Sequence, residues 1–418
     1  MAHHVQPSGH ALLVERLNRA PQGAPPSPLL TRILELLVDE REATLLSRLP
    51  IRPFTVRDAA QRWRLPEAEA RARLDELASR AMLVDLFEEP ERRYVLPPPM
   101  AGFFEFSLMR VRGDLDQKAL AELLDQYLNV EEDFVRELFT VGETKLGRVF
   151  VSEPALSEAN ALHVLDFERA SHVVRTATAL GLGLCYCRHK QHHLGRVCAA
   201  PLEVCLTLNA AAASLIQHGH ARAIDAAEAL DLLASARARG LVQFGENVRG
   251  GVNFICNCCG CCCEALLAHR RFTLLQSIHT SPFLPAVAAA CTGCGACAHA
   301  CPVEAIGVGP ERVAMVDLGR CLGCGVCVGA CRSQAITLEA RPTRVLTPAD
   351  GVERAVLMAL ERGKLQHLIF DDPERWSHRA LAAVLGALLR LPPARRALIQ
   401  AQLHSRYVER ALTGRRRT

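Results

Sequence analysis

Two runs of four cysteines with identical spacing constrain this 418-residue sequence more than any other feature. Both runs follow the pattern C-x2-C-x2-C-x3-C, and each cysteine of the second lies thirty residues after its counterpart in the first. The first run comprises Cys291, Cys294, Cys297 and Cys301, and the second comprises Cys321, Cys324, Cys327 and Cys331. Similar segments follow them, VEAIGV and SQAITL, so this part of the chain is an internal duplication.

The other ten cysteines occupy two segments upstream of this duplication. They are Cys185, Cys187, Cys198 and Cys205 in CYCRHKQHHLGRVCAAPLEVC, and Cys256, Cys258, Cys259, Cys261, Cys262 and Cys263 in CNCCGCCC. Disulfides compensate for thin cores in small secreted domains, whereas 50% of this long chain is hydrophobic and supplies an ample core. The thiols are therefore predicted to be metal ligands or catalytic groups.

The sequence predicts a cytoplasmic protein. The opening MAHHVQPSGH lacks the basic and apolar regions of an export signal. Apolar stretches such as residues 380–389 stop well short of the roughly eighteen residues of a membrane span. The net charge of +4 is too small to imply a membrane or nucleic-acid partner. In the reducing cytoplasm, clustered cysteines stay free to bind metals.

The duplicated spacing resembles the bacterial two-cluster ferredoxin module. Three thiolates on one tight loop can hold three corners of a 4Fe–4S cubane, and the fourth ligand must come from a more distant residue. The resemblance implies a ferredoxin-like βαββαβ dicluster domain over residues 282–340, in which the fourth cysteine of each run serves the other cluster. Cluster 1 then takes Cys291, Cys294, Cys297 and Cys331, and cluster 2 takes Cys321, Cys324, Cys327 and Cys301.

One residue departs from that family's pattern. Pro302 follows the first run as the family requires, whereas Arg332 occupies the position of the second proline. The resemblance therefore does not predict the conformation of the turn after Cys331. Eight buried or zinc-bound cysteines are the alternative to two clusters. Zinc sites usually pair two C-x2-C units across a longer gap, and the triple spacing fits that arrangement poorly.

Three interpretations of the ten upstream cysteines stay open. They are at least one further iron–sulfur cluster assembled from both segments, a zinc or other metal site, and free thiols or a redox disulfide pair. Ten thiols exceed one tetrahedral site. Neighbours in an extended segment point to opposite faces, so Cys258 with Cys259, and Cys261 with Cys262, are not expected all to serve one centre. A third iron–sulfur cluster is the preferred interpretation.

Charged side chains of the first segment are expected to assist such a cluster. Arg188, Lys190 and Arg196 can offset the negative charge of thiolates and donate hydrogen bonds to sulfur. Three histidines of the same loop are either metal ligands or solvated residues, namely His189, His192 and His193.

The C-C-G sequence at residues 258–260 resembles part of the cysteine-rich module of heterodisulfide reductases. That family pairs C-C-G with a downstream C-x2-C in a repeated arrangement, whereas this chain has a single C-C-G inside a denser run. The order of all motifs along the chain resembles a group of bacterial 4Fe–4S binding proteins, a resemblance that leaves the function open.

Periodicity predicts an α+β multidomain organisation. Residues 1–27 contain PQGAPPSP and are predicted to be a flexible leader. Over residues 28–106, a helix from Pro28, a second after the N-cap Thr55 and a third after Pro66 precede a hairpin, an order that resembles a winged helix.

The remaining boundaries follow from the cysteines and from helical patterns. Residues 107–180 are predicted to be helical, for instance at 114–128 and 171–180. Residues 181–281 form a Cys-rich α/β region for metal or clusters, with a loop from Cys185 to Cys205, a helix from Asp225 to Gly240 and two strands before the dense cysteine run. The dicluster domain and a helical C-terminal region, residues 341–418, complete the chain.

A winged helix would read DNA with its third helix, but the charge here disfavours that role. Residues 28–110 contain 13 arginines and 14 acidic residues, a net charge of −1. DNA affinity depends largely on neutralising phosphates. A protein-docking or structural module is therefore preferred, and DNA stays a partner that is not expected.

The sequence favours an iron–sulfur protein that transfers electrons between a redox partner protein and the Cys-rich region. Two alternatives come from other classes: a redox-responsive winged-helix transcriptional regulator, and a reductase whose catalytic centre is the Cys-rich site. The sequence assigns no catalytic residue, so a role as an oxidoreductase component stays open.

Overall fold

A computed structural model of the chain describes residues 7–87, 91–272, 278–342, 345, 347–372 and 374–389. The chain forms two compact units, one comprising Met1–Thr144 with Val352–Thr418 and the other Lys145–Gly351. Helices and small sheets both occur, which confirms the predicted α+β class. Within the described ranges, every helix is too short or too polar to cross a membrane.

The predicted flexible leader, residues 1–27, is wrong at residues 9–19, which form helix α1 (Gly9–Arg19). The Ser8 hydroxyl accepts a hydrogen bond from the Ala11 amide at 3.1 Å and so caps the helix. Leu13 and Leu17 are buried on one face. Their spacing of four residues is helical, but the proline-rich stretch beside it conceals the signal. Residues 1–6 lie outside the described residues.

The helix predicted from Pro28 is two helices, α2 (Pro28–Leu37) and α3 (Glu40–Arg48). Asp39 separates them because it forms a capping box. Its side chain accepts the Glu42 amide at 2.7 Å, and the Glu42 carboxylate accepts the Asp39 amide at 3.0 Å. This reciprocal cap stabilises a new helix start within a continuous apolar pattern.

The next elements confirm the predicted second and third helices and the hairpin. They are β1 (Phe54–Thr55), α4 (Val56–Trp63), α5 (Glu67–Ser79), β2 (Val84–Leu86) and β3 (Arg93–Val95). Thr55 caps α4 as predicted, through its hydroxyl and the Asp58 amide at 3.2 Å. The strands form an antiparallel sheet in the order β1–β3–β2. Tyr94 on the central strand β3 is completely buried.

Helices α6 (Phe104–Phe106), α7 (Gln117–Asp125) and α8 (Asp133–Thr140) complete this part of the first unit. An irregular turn at Pro99–Phe103 precedes α6, and a π turn at Gln126–Val130 follows α7. The helix predicted at 114–128 is therefore confirmed over most of its length.

The second unit is built on a six-stranded antiparallel sheet. Its strands are β4 (Gly147–Val149), β5 (Leu180–Leu184), β6 (Glu203–Leu208), β7 (Arg222–Ala223), β8 (Val242–Glu246) and β9 (Phe254–Cys258). Their order across the sheet is β4–β8–β9–β6–β5–β7. The mostly helical region predicted for residues 107–180 also contains β4, a strand of three residues that is too short to show an alternating pattern. The strands predicted before the dense cysteine run are confirmed as β8 and β9.

One face of this sheet carries the core of the second unit. Six helices accompany the sheet: α9 (Glu158–Ala161), α10 (Ala170–Thr176), α11 (Tyr186–His193), α12 (Asn209–Gln217), α13 (Ala226–Ala238) and α14 (Glu264–Arg271). Leu206 and Ile255 pack against Val173 of α10 and Leu233 of α13. Full burial of each such side chain stabilises the fold by roughly 1.5–3 kcal/mol. Asp225 caps α13, as predicted. The loop predicted from Cys185 to Cys205 is corrected, since it contains α11.

Residues 283–340 contain the elements β10 (Phe283–Val287), α15 (Ala296–Ala300), β11 (Ile306–Val308), β12 (Ala314–Val316), α16 (Val326–Ala330) and β13 (Ile336–Ala340). Antiparallel pairs form between β10 and β13 and between β11 and β12. Gly323 adopts φ +69°, and a Cβ there would overlap the Phe283 carbonyl oxygen. The cysteine loop of the second run therefore needs glycine at this position.

Three helices follow: α17 (Gly351–Glu361), α18 (Leu365–Ile369) and α19 (Trp376–Leu389). Val356, Leu360 and Leu368 form their shared buried core. In the first unit, Arg62 on α4 donates to the Asp371 carboxylate at 3.2 Å. The predicted helical C-terminal region is confirmed for these helices, and its residues from 390 onward lie outside the described residues.

Candidate metal centres

On strands β6 and β9, successive side chains alternate between the two faces of the sheet, and this alternation determines which of them lie on the face that carries the cysteines. Leu206 on β6 pairs with Ile255 on β9, and both side chains belong to the core. Side chains alternate between the two faces of a strand, so Cys205, Cys256 and Cys258 point to the opposite face. Cysteines on adjacent strands therefore meet on the sheet face away from α10 and α13.

Six thiols meet on that face and form what we call the six-cysteine group. Its members are Cys185, Cys187, Cys205, Cys256, Cys258 and Cys263. Cys187 lies within hydrogen-bonding reach of Cys185 and Cys263. Cys258 contacts Cys263 and Cys256, and Cys256 contacts Cys205. The contacts form a continuous chain of sulfurs that joins both sequence segments.

Two helix N-termini point into the six-cysteine group. Cys185 precedes α11, and Cys263 precedes α14. Hydrogen bonds from the Cys187 and Cys258 thiols, together with the backbone amides of Leu266 and Ala265, hold the pKa of Cys263 well below its usual range. Hydrogen bonds from Cys205 and Cys258 likewise lower the pKa of Cys256 to about 5. The fold thus favours thiolates at Cys256 and Cys263, the form that binds metals, while hydrogen bonds to Cys256 and Cys263 raise the pKa of Cys258 and hydrogen bonds to Cys185 and Cys263 raise the pKa of Cys187.

The other four upstream thiols form a separate set, which we call the four-cysteine group. It comprises Cys198, Cys259, Cys261 and Cys262, whose sulfurs all lie within 4.8 Å of one another. The Cys198 and Cys259 sulfurs are 3.7 Å apart, as are those of Cys261 and Cys262. Hydrogen bonding to Cys262, with help from nearby Arg188, lowers the pKa of Cys259 to about 4.

The division differs in one respect from the alternation expected of neighbouring cysteines. Cys258 and Cys259 belong to different groups, as opposite faces of an extended segment require. Cys261 and Cys262 belong to the same group. The reason is local, since β9 ends at Cys258 and the following residues turn toward α14.

Arg188 lies between the two groups and is completely buried. Its guanidinium donates to the carbonyls of Pro201 at 2.9 Å and Asn257 at 2.7 Å. Burial by itself would lower the pKa of Arg188, but the negative charges of Cys185, Cys259 and Cys258 raise it above its ordinary value. A buried cation among thiols is favourable only where those thiols carry negative charge.

The other charged residues of this segment behave differently from the sequence-based expectation. Lys190 is buried and forms an ion pair with buried Glu264 at the start of α14, which the sequence did not signal. Arg196 is exposed. His189 is buried on α11, so the alternative of a solvated loop is wrong for this residue. Of the three cations expected to assist a cluster, Arg188 is therefore the one that lies among the thiols.

The four cysteines predicted for cluster 1 line one small cavity. They are Cys291, Cys294, Cys297 and Cys331, so a cysteine of the second run joins three of the first. The Ala314 amide donates to the Cys291 sulfur at 3.4 Å. The Ser333 hydroxyl lowers the pKa of Cys331. Four thiols around a cavity, with an amide directed at sulfur, are chemically suited to a cubane.

The cysteines predicted for cluster 2 show the reciprocal arrangement. Burial raises the pKa of Cys321, Cys324 and Cys327, and the charge of nearby Cys301 raises all three further. The Ala305 amide donates to the Cys301 sulfur at 3.2 Å, and the Gly323 amide donates to Cys321 at 3.4 Å. Neighbouring thiols that are shielded from water resist ionisation by themselves, whereas coordination to a metal deprotonates a thiol outright.

Arg332 leaves the turn after the second run unchanged. The Gln334 amide donates to the Cys331 carbonyl at 3.1 Å, and the equivalent bond in the first run joins Glu304 and Cys301 at 3.3 Å. Glu304 and Gln334 also share a positive φ, at 54° and 51°. The backbone of the turn after Cys331 therefore does not depend on a proline at position 332.

The Cys-rich region contacts the dicluster segment through Gly260, which stands between Cys259 and Cys261. A Cβ on Gly260 would overlap the carbonyl oxygen of Pro302, the residue after Cys301. Arg270 donates to the Gly260 carbonyl at 3.2 Å and forms an ion pair with Glu304. The four-cysteine group is thus anchored beside Cys301, the fourth ligand predicted for cluster 2.

Comparison with known proteins supports one of these regions directly. Residues 290–344 match the family described as the 4Fe-4S dicluster domain. The chain therefore contains an iron–sulfur module of the ferredoxin type. Comparisons with curated proteins and with solved structures found no match.

Proposed function

We propose that the protein transfers electrons through two 4Fe–4S clusters in residues 282–340 to a third iron–sulfur centre in residues 181–281. The main support for this proposal is that cysteines of both runs line one cavity. Cluster 1 is bound by Cys291, Cys294, Cys297 and Cys331, and cluster 2 by Cys321, Cys324, Cys327 and Cys301. Such clusters accept and release single electrons at potentials set by burial and by hydrogen bonds to sulfur.

The two clusters differ in exposure, which gives the electron path a direction. Cys294 of cluster 1 is exposed, whereas Cys321 and Cys327 of cluster 2 are buried. Pro302, next to the cluster 2 ligand Cys301, contacts Gly260 of the Cys-rich region. We infer that a redox partner protein exchanges electrons with cluster 1, and that cluster 2 connects cluster 1 to the third centre.

The six-cysteine group is the proposed site of that third centre. It offers more than the four thiolates of a cubane, and two helix N-termini with Arg188 balance its negative charge. None of the 18 cysteines forms a disulfide. Since a reducing compartment keeps thiols available to bind metals, we place the protein in the cytoplasm.

Metal analysis of double variants tests the exchange of the fourth ligands. Each cubane contributes about four irons. Anaerobically purified C331S and C331S/C291S should each lose about four irons and an equal amount of acid-labile sulfide, because both residues serve cluster 1. C331S/C321S should lose about eight.

The opposite result, about four irons lost in C331S/C321S and about eight in C331S/C291S, would overturn the ligand assignment. Potentiometric titration of the wild-type protein tests electron transfer itself. We expect reversible one-electron reductions, and a protein with full iron content that shows none would contradict the proposal.

The surplus of thiols in the six-cysteine group favours a second candidate function, reduction of a substrate at that centre. A substrate or thiol that binds there should change the spectrum of the third centre. Adding thiols to the wild-type protein and to C256S distinguishes the two functions, because pure electron transfer predicts no spectral change in either protein.

We propose a protein-docking or structural role for the winged-helix-like segment. Its arginines are engaged by acidic residues, as in the pairs Arg73–Glu76 at 3.3 Å and Arg92–Asp75 at 3.4 Å. Arg80 also pairs with Glu42. These pairs reduce the positive charge available to phosphates, which disfavours the alternative of a DNA-binding regulator.

A further inference from the structure

The spacing of the sulfurs in the four-cysteine group matches a single metal ion. Four thiolates around one tetrahedral ion, each at about 2.3 Å from zinc, are separated from one another by about 3.8 Å. The Cys198–Cys259 and Cys261–Cys262 sulfur pairs are each 3.7 Å apart, and all four sulfurs lie within 4.8 Å. This is the size of one tetrahedral coordination shell.

A cubane needs a larger arrangement. It has an iron at each of four corners, so its cysteine sulfurs are held much farther apart than sulfurs that share one ion. The dicluster segment provides the comparison within the same chain, since the sulfurs of cluster 1 line a cavity. The four-cysteine group differs because all four of its sulfurs lie within 4.8 Å of one another, whereas the contacts in the six-cysteine group run from one thiol to the next along a chain.

The local backbone supports metal binding at this position. Cys259 and Cys262 are spaced C-x2-C, the commonest arrangement in thiolate metal sites. The backbone N–H of Cys262 interacts electrostatically with the Cys259 sulfur, and that of Cys198 with the Cys262 sulfur. Amide groups near sulfur stabilise thiolates around a metal.

The charges around the four-cysteine group also favour a single bound metal ion. A divalent ion bound by four thiolates keeps a net charge of about −2. The buried Arg188 guanidinium interacts with Cys259 and offsets part of this charge. Cys261 is exposed, which gives the ion a path of entry from solvent.

We propose that Cys198, Cys259, Cys261 and Cys262 bind a single tetrahedrally coordinated metal ion, separate from the iron–sulfur centre of the six-cysteine group. Soft thiolate ligands favour zinc, and iron suits the same geometry. The ion would fasten the loop at Cys198 to the cysteine run that rests on Pro302. This site does not depend on the proposed electron-transfer function.

Metal and sulfide analysis of full-length variants tests the site. C198S and C261S should each lose one zinc or iron per chain while acid-labile sulfide stays unchanged. The matched control C256S, in the six-cysteine group, should retain that ion and lose iron together with sulfide. Loss of about four irons with an equal amount of sulfide in C198S would overturn the proposal.

Cobalt exchange into the wild-type protein provides a second measurement that does not require a folded variant. Cobalt bound by four thiolates should give the intense visible absorption of a tetrahedral complex, at one equivalent per chain. Uptake without that absorption, or failure of added zinc to displace the bound cobalt, would also overturn the proposal. An equivalent absorption in cobalt-treated C261S would contradict the ligand set.

Discussion

At the scale of single residues, Arg188 connects the chemistry of the two upstream cysteine groups. Its guanidinium is completely buried, yet three nearby thiols supply negative charge that keeps it protonated. The positive charge of Arg188 also acts on any iron–sulfur centre beside it. A nearby positive charge favours the added electron and therefore raises the reduction potential.

Arg188→Met should make the reduction potential of the third centre more negative. Coulomb's law at an effective dielectric constant of about 20 gives an effect on the order of 100 mV over roughly 6 Å. Potentiometric titration followed by electron paramagnetic resonance measures the shift. Arg196→Met is the control, since Arg196 is exposed and solvent screens its charge. Equal shifts in both variants would show that burial of Arg188 is irrelevant.

The sequence identifies some functional residues and conceals others. The repeated spacing alone predicts the eight cysteines proposed as ligands of clusters 1 and 2, because that spacing is typical of two-cluster ferredoxins. Arg188 can be identified from the sequence as a cation near thiols. The ion pair Lys190–Glu264 cannot be identified from the sequence, since its members belong to helices α11 and α14, which are distant in the chain.

At the scale of secondary-structure elements, β9 and the turn after it divide the cysteines between the six-cysteine group and the four-cysteine group. The strand's alternation sends Cys256 and Cys258 to one face, and the turn carries Cys259 to the other group. Strand alternation is predictable from the sequence. The end of β9 is not, because CNCCGCCC contains no alternating apolar pattern that would mark it.

Gly260→Ala should destabilise the second unit, because the added Cβ overlaps the Pro302 carbonyl. Overpacking of this kind costs about 1–3 kcal/mol in unfolding free energy. The neighbouring metal ion should also be released at lower chelator concentrations. Thermal unfolding and chelator titration measure the two effects.

Gly307→Ala is the matched control in the same unit, since a Cβ on Gly307 meets nothing within 4 Å. Its unfolding free energy should change by less than about 0.5 kcal/mol. If Gly260→Ala were equally harmless, the contact with Pro302 would not contribute to the position of the cysteine run.

Errors in predicting elements have physical causes too. The sequence conceals α1 because a proline-rich segment follows it, and it merges α2 with α3 because Asp39 interrupts the helix without interrupting the apolar pattern. The capping residue Thr55 is predictable since its cap is local. Signals within a few residues of one another are readable from a sequence, whereas partners distant in the chain are not.

At the scale of the whole molecule, the charge pattern predicts no binding to DNA. Arg73 of α5 and Arg92 of the hairpin pair with acids, and residues 28–110 carry a net charge of −1. The full-length protein should show no retention on DNA at low salt, whether its clusters are oxidised or reduced. Electrophoretic mobility shift measures this.

Binding that depends on cluster state and falls steeply with salt would instead favour the regulator. Charge-reversing substitutions of the acidic partners, such as Glu76→Lys and Asp75→Lys, provide a positive control. They should increase non-specific retention by leaving Arg73 and Arg92 available to phosphates.

The contact between Gly260 and Pro302 has a consequence for the order of biosynthesis. Pro302 is synthesised forty-two residues after Gly260, so the cysteines of the Cys-rich region leave the ribosome before the loop on which they rest. The contact that positions the earlier cysteines can therefore form only after the later loop has been synthesised.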